Sequence, residues 1–125
     1  IIHLACFCED ANNINGTLPS ELSAITGLEA FSMLTGNLHG TIPEAFGELS
    51  NLKFLQLADQ ALTGSLPSAV NVLSTMSVLN LYNNMLTGTI PPGWLGPGTA
   101  SKMKDLVLAR NMFEGTIPEF RTQSE

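Results

Sequence analysis

An α/β solenoid is the fold class this sequence predicts, with a parallel β-sheet on the concave face and short helical or 3₁₀ turns on the convex face. Two observations predict it. A unit of spaced apolar residues recurs along the chain, and every copy closes on the same Gly-[Thr/Ser]-[Ile/Leu]-Pro punctuation. The cleanest copy is residues 79–91, LNLYNNMLTGTIP, in which Leu79, Leu81, Leu86 and Ile90 are apolar and Asn84, Gly88 and Pro91 punctuate them. The punctuation returns at residues 15–19, 39–43, 63–67 and 114–118. Gly16, Gly40, Gly64 and Gly88 stand 24 residues apart, and Gly115 follows 27 later, so the fourth unit carries a three-residue insertion. Self-similarity at a period of this size is the signature of stacked coils.

Each element of one coil follows from its residues. Leu-x-Leu is a short strand with both leucines on one face. One coil cannot bury those leucines alone, so it needs a neighbour above and below. Successive strands pair in parallel at about 4.8 Å, which stacks five coils into roughly 20–25 Å. The repeat Gly permits positive φ or a close backbone approach. Pro lacks an N–H and closes a second short strand. The residues after Pro, such as 67–73, are expected to make the convex turn.

In chain order, residues 1–15 are the least regular unit. Counting back from Gly16 puts Leu4, Phe7, Asn12 and Ile14 on repeat positions, but Glu9 then falls where a strand leucine belongs. A buried unpaired charge is costly, so a one-residue slip is expected there, turning Cys6 and Cys8 inward and leaving Glu9 and Asp10 in the turn. The second coil runs Leu28, Phe31, Met33, Leu38, Ile42, Phe46 and Leu49; the third Leu52, Leu55, Leu57, Leu62, Leu66, Val70 and Leu73. The fourth runs Met76, Leu79, Leu81, Leu86, Ile90 and Trp94, with its insertion in the Gly/Pro/Ser-rich residues 95–102. The fifth runs Met103, Leu106, Leu108, Phe113 and Ile117, and a polar tail follows.

The pattern LxxLxLxxNxLxGxIPxxLxxL, kept in phase through five copies, resembles the plant-type leucine-rich repeat. That family includes the ectodomains of receptor-like kinases, the polygalacturonase-inhibiting proteins and GTIP-type repeats of algal proteins. The resemblance covers nearly the whole chain and implies a right-handed coil that recognises proteins or peptides without catalysis. It also implies an extracellular or membrane-anchored ectodomain setting, hence the secretory pathway.

Bulk properties bound the rest. At 125 residues the chain is at most one domain, 1–125, of about five 24-residue repeats. Hydrophobic residues make up 44% and charged residues 13%. The net charge of −6 with five Lys and Arg argues against nucleic acid as a partner. No apolar run approaches the roughly 20 residues of a spanning helix, so direct membrane insertion is not expected. Neither end shows a polar cap, so the expectation is a piece of a longer solenoid, its ends covered by further repeats or by partner subunits. Cys6 and Cys8 read as two small buried residues or as partners of cysteines outside this stretch, since a disulfide between residues two apart is strained.

Three sets of positions are candidates for function. Between the strand leucines, facing the concave surface, stand Phe54, Gln56, Val78, Asn80, Tyr82, Asp105 and Val107, accompanied by Ala30, Ser32, Leu34, Ala58 and Ala109. Several are apolar where solvent-facing strand residues are usually polar, which suits a protein or peptide contact. Asn12, Gly36, Gln60, Asn84 and Asn111 occupy an amide ladder that satisfies turn backbone groups. In it Gly36 lacks a side chain and Gln60 is one methylene too long, so gaps are expected at both. Thr17, Thr41, Ser65, Thr89 and Thr116 are expected to line up as hydroxyls at about 5 Å on the second side, an arrangement resembling leucine-rich ice-binding proteins. The column before it, Asn15, His39, Thr63, Thr87 and Glu114, is irregular. Asn15-Gly16-Thr17 is an N-glycosylation sequon. No catalytic set is legible: His3 and His39 are the only histidines, Glu21, Glu44 and Glu48 read as solvated convex surface, and the glycines serve the repeat. No cofactor or metal site is expected.

Overall fold

The computed structural model describes residues 7–10, 14–68, 75–95 and 102–117; for residues 7–10 and 95 it describes the backbone alone. It is a leucine-rich-repeat solenoid with two parallel sheets, each contributed to by every coil. The first sheet takes β1 (Phe7–Asp10), β3 (Ala30–Leu34), β5 (Phe54–Gln56), β7 (Val78–Asn80) and β9 (Asp105–Val107). The second takes β2 (Asn15–Thr17), β4 (Asn37–Thr41), β6 (Ala61–Ser65), β8 (Met85–Gly88) and β10 (Met112–Phe113). Among the described residues, 3₁₀ turns at Ser20–Ala24, Glu44–Glu48 and Pro92–Leu95 follow the repeat prolines. The expected turn after Pro67 falls mostly on residues 69–74, and the insertion mostly on 96–101, both outside the described residues.

The core is a set of columns, each coil adding one residue to each. Phe31, Leu55 and Leu79 form one, and Met33, Leu57 and Leu81 the next. Leu38, Leu62 and Leu86 do the same behind the second sheet, and Leu57, Leu62, Leu81 and Leu86 are fully enclosed. Burying each such leucine contributes about 1.5–3 kcal/mol. On the convex side Phe46 meets Phe31 edge to face at 6.4 Å.

The first sheet keeps the repeat register: Phe31 pairs with Leu55, and Leu55 with Leu79. That register extends to the first coil and overturns the expected slip. Phe7 pairs with Phe31 and Glu9 with Met33, so Glu9 holds an inward register position and Cys8 an outward one. Glu9 and Asp10 belong to β1 rather than to a turn. The physical reason is the backbone ladder to β3, which keeps the same 24-residue pairing interval as the β3–β5 and β5–β7 ladders. β1 is also the edge strand of the described sheet, flanked by one coil only. Cys6 and Asn12 lie outside the described residues.

Among the described residues the amide ladder runs through Gln60, Asn84 and Asn111, while Gly36 supplies no amide, as expected. Asn84 Oδ1 accepts from the Leu62 N–H at 3.1 Å, and its Nδ2 donates to the carbonyls of Leu57 at 2.8 Å and Leu81 at 3.1 Å. Asn111 repeats this one coil on, accepting from Leu86 N–H at 3.1 Å and donating to Leu81 O at 2.8 Å. The expected gap at Gln60 does not exist: Oε1 accepts from Leu38 N–H at 3.1 Å, and Nε2 donates to Met33 O at 3.0 Å and Ala58 O at 3.2 Å. The extra methylene is accommodated by Gly36. A Cβ there would stand 2.9 Å from Gln60 Oε1, so the two departures from the repeat compensate one another.

A double-mutant cycle tests that compensation. Gly36→Asn alone is expected to destabilise by about 1–2 kcal/mol, because it displaces a buried amide from its partners. Gly36→Asn with Gln60→Asn is expected to recover most of the loss, a favourable coupling of about 1 kcal/mol or more. Urea unfolding of the four species measures it, and additive effects would refute the pairing.

The residue before each described ladder position bends the chain out of the strand. Thr35, Asp59, Asn83 and Arg110 all have φ between 54° and 62°, the left-handed region in which Asn and Asp are tolerated and a β-branched residue is strained. Asn83 Nδ2 donates to Asp59 Oδ1 at 2.8 Å and ties two of these corners together. On the convex side Glu44 is not merely solvated. Its carboxylate accepts from the Ser68 N–H at 3.1 Å and from the Ser68 hydroxyl at 3.4 Å, linking successive coils.

Candidate functional site

The concave sheet sets the candidate residues in three rows that cross the strands. The first row is Ala30, Phe54, Val78 and Asp105; the second is Ser32, Gln56, Asn80 and Val107. Leu34, Ala58, Tyr82 and Ala109 follow two residues on. Phe54 is 42% exposed and Val107 36%, both large for apolar side chains held on a strand. Val78 and Tyr82 are half-buried. Ala58, expected to face solvent, is buried. Phe54 stands beside Val78, not beside Tyr82, which lies four residues further along the strand direction, about 13 Å. A ligand touching both must therefore run along the strands.

Several candidates already have work within the fold. Ser32 Oγ donates to Gln56 Oε1 at 3.3 Å, and Asn80 Oδ1 accepts from the Tyr82 N–H at 3.1 Å. Arg110 lies over the Tyr82 ring, its guanidinium carbon 5.7 Å from the ring centre. Such a cation–π contact is worth about 0.5–1 kcal/mol at an exposed site. Sequence reasoning missed Arg110. Its signal was present all the same, since it precedes the ladder amide Asn111 as Asn83 precedes Asn84.

The second sheet carries the threonines, but not as a column at about 5 Å. Its pairing interval is 22 residues rather than 24 in the first three strand pairs, where Thr17 pairs with His39, Thr41 with Thr63 and Ser65 with Thr87, and 25 rather than 27 between β8 and β10. Equivalent threonines on adjacent strands are therefore two residues out of step, about 8 Å apart on an oblique line. The row across the strands reads Thr41, Thr63, Met85, and Met85 is 44% exposed. The stagger has a packing cause. Each repeat Gly has positive φ, and a Cβ on Gly64 would meet Thr41 Cγ2 at 2.8 Å, one on Gly115 would meet Thr89 Cγ2 at 3.0 Å. The threonine methyl of one coil thus covers the glycine of the next. His39 Nδ1 lies 2.9 Å from Gly16 O, and Asn15 is exposed on β2.

Among the described residues no group of three His, Cys, Asp or Glu side chains is placed to hold a metal ion. No helix among them is long and apolar enough to cross a membrane.

The chain carries plant-type leucine-rich repeats: the Leucine Rich Repeat family model matches residues 75–96, and receptor-kinase ectodomains share the fold. One is the leucine-rich-repeat ectodomain of the Arabidopsis thaliana membrane receptor kinase GASSHO1/SCHENGEN3, solved in complex with CASPARIAN STRIP INTEGRITY FACTOR 2. It is 28% identical with a TM-score of 0.83, over 90% of this chain and 13% of that one. A TDR receptor is 34% identical with a TM-score of 0.82, over 90% of this chain and 19% of that one. A plant ice-binding protein is 29% identical with a TM-score of 0.74, over 85% of this chain and 33% of that one. The chain thus spans less than a fifth of the length of these receptor structures. A comparison with curated protein sequences returned no match.

Proposed function

We propose that the chain is a non-catalytic recognition module that binds a protein or an extended peptide across its concave sheet. The observation that carries this reading is the apolar surface at Phe54, Val78 and Val107 on one parallel sheet, with Tyr82 two residues beyond the end of β7. Aromatic side chains on a preformed surface are the usual anchors of such contacts. The receptor ectodomain solved with CASPARIAN STRIP INTEGRITY FACTOR 2 supports the same class of role. On this reading Gln56, Asn80 and Asp105 supply the polar contacts, the setting is an extracellular ligand-sensing ectodomain, and the sequon at Asn15 offers a glycan site away from the concave face.

A peptide selected on the immobilised chain from a random display library provides the test. Tyr82→Ala and Phe54→Ala are each expected to weaken its binding by about 2 kcal/mol and leave folding intact, whereas Glu48→Ala on the convex side changes it little. Retention of full affinity by both concave variants would overturn the assignment.

The second reading is ice binding through the threonine side, favoured by the likeness to the plant ice-binding protein. The oblique stagger and the exposed Met85 within the row weigh against it. Thermal hysteresis in a solution of the chain, lost on Thr41→Leu, would support it over the concave reading.

A further inference from the structure

We propose that the depression lined by Lys53, Lys102 and Lys104 binds a side-chain carboxylate of an acidic peptide lying on the concave sheet. The inference deepens the peptide-recognition reading and rests on it. The chain carries 11 acidic and five basic residues, yet three of the five converge here. With Thr75, Ser77 and Met103 they bound a depression of about 370 Å³. In a molecule of net charge −6 it is a local reversal of sign, and an anion is drawn to it and repelled elsewhere.

The backbone beneath is fixed. Ser77 N–H donates to Lys53 O at 2.7 Å, and Lys104 N–H to Ser77 O at 2.8 Å. Lys53, Ser77 and Lys104 therefore stand side by side at the strand entrances, about 4.8 Å apart. Each is followed by a member of the first concave row: Phe54, Val78 and Asp105. A chain lying on that row reaches the depression with one side chain.

The charges are unevenly engaged. Lys53 Nζ is 2.9 Å from Glu29 Oε2, the one ion pair among the described residues. Lys102 and Lys104 have no carboxylate partner among them. Thr75 Oγ1 donates to Leu52 O at 3.0 Å, so its proton is committed. Among the described residues the site thus offers two ammonium groups without a carboxylate partner and the Ser77 hydroxyl, with Glu29 and Asp105 as opposing charges at its margins. Glu29 is a built-in competitor for Lys53, which makes a distinctive test possible.

The probes are a blocked tri-aspartate peptide, its tri-asparagine counterpart and inorganic sulfate, each titrated into the isotope-labelled 125-residue chain while amide chemical shifts are followed. The tri-aspartate peptide is expected to give saturable shifts at Ser77, Val78 and Lys104 and along β5, β7 and β9, lost in about 0.5 M NaCl. The double variant K102Q/K104Q should weaken it about tenfold and E29Q should strengthen it several-fold by releasing Lys53. Shifts that do not saturate, or that are unmoved by K102Q/K104Q, overturn the proposal. Saturation by sulfate but not by tri-aspartate makes this a site for free anions and overturns the peptide assignment. Equal sheet shifts from tri-asparagine and tri-aspartate, with no response in the depression, defeat this proposal and leave concave recognition standing. Shifts confined to the depression, with β5, β7 and β9 unmoved, show an anion site without a peptide on the sheet and overturn the proposal as stated.

Discussion

Asn84→Ala is expected to destabilise the chain by about 3 kcal/mol or more. Asn84 is 7% exposed, and its amide joins two coils. Its removal leaves the Leu62 N–H without an acceptor and the Leu57 carbonyl without that donor, both inside the turn where water has no access. Each buried group so orphaned costs about 1–3 kcal/mol, and the vacated volume adds to it. Asn51→Ala is the natural comparison. Asn51 also joins two coils, donating to Thr26 O at 2.8 Å, but it is exposed, so its loss is expected to cost about 0.5–1 kcal/mol. Urea midpoints at unchanged slope measure both. Equal small effects would show that the ladder does not hold the coils together.

The second large effect is expected from Gly64→Ala, about 3 kcal/mol. Two terms add. An alanine at φ +79° costs about 1–2 kcal/mol in backbone strain. Its Cβ would also stand 2.8 Å from Thr41 Cγ2, and the stiff χ1 of a β-branched residue cannot swing that methyl away cheaply. Overpacking of this kind costs about 1–3 kcal/mol. Gly88→Ala separates the terms, because its φ of +78° matches and its nearest neighbour is Ser65 Cβ at 3.3 Å, with no methyl in the way. It should cost chiefly the backbone term. Thr41→Ser in the Gly64→Ala background removes the obstructing methyl and should restore about 1 kcal/mol. The same cost at Gly88 and Gly64, with no rescue by Ser, would refute the packing explanation of the Gly-Thr pair.

The repeat was legible because burial imposes it. Every position of the form Leu55, Leu57, Leu62 in one coil must be apolar to meet its neighbours above and below, so the period, the core columns and the concave rows could all be read from spacing. The stagger of the second sheet could not. Gly, Thr and Pro announce a turn and a strand end, but the offset of 22 depends on how a positive-φ glycine lets the next coil settle over a threonine methyl. Nor was Gly36 with Gln60 readable as a pair: each looks like a lapse when aligned to its own column, and only their contact across coils shows the exchange of volume. The basic depression was hidden for a different reason. Lys53 and Lys104 appear scattered in a predominantly acidic chain, and only the pairing of successive first-sheet strands, across the three-residue insertion, brings them to the same edge. At the first coil, local chemistry argued for a slip at Glu9 and the ladder to β3 overrode it.

Hydrogen–deuterium exchange, with and without a display-selected peptide at saturation, tests concave recognition most directly. The two sheets are separate strands of the same coils, so the footprint distinguishes the faces strand by strand. Protection is expected over Phe54–Gln56, Val78–Asn80 and Asp105–Val107, with Asn37–Thr41, Ala61–Ser65 and the Glu44–Glu48 turn unchanged. Protection confined to the second sheet or to the convex turns, with the concave strands exchanging as in the free chain, would contradict the account.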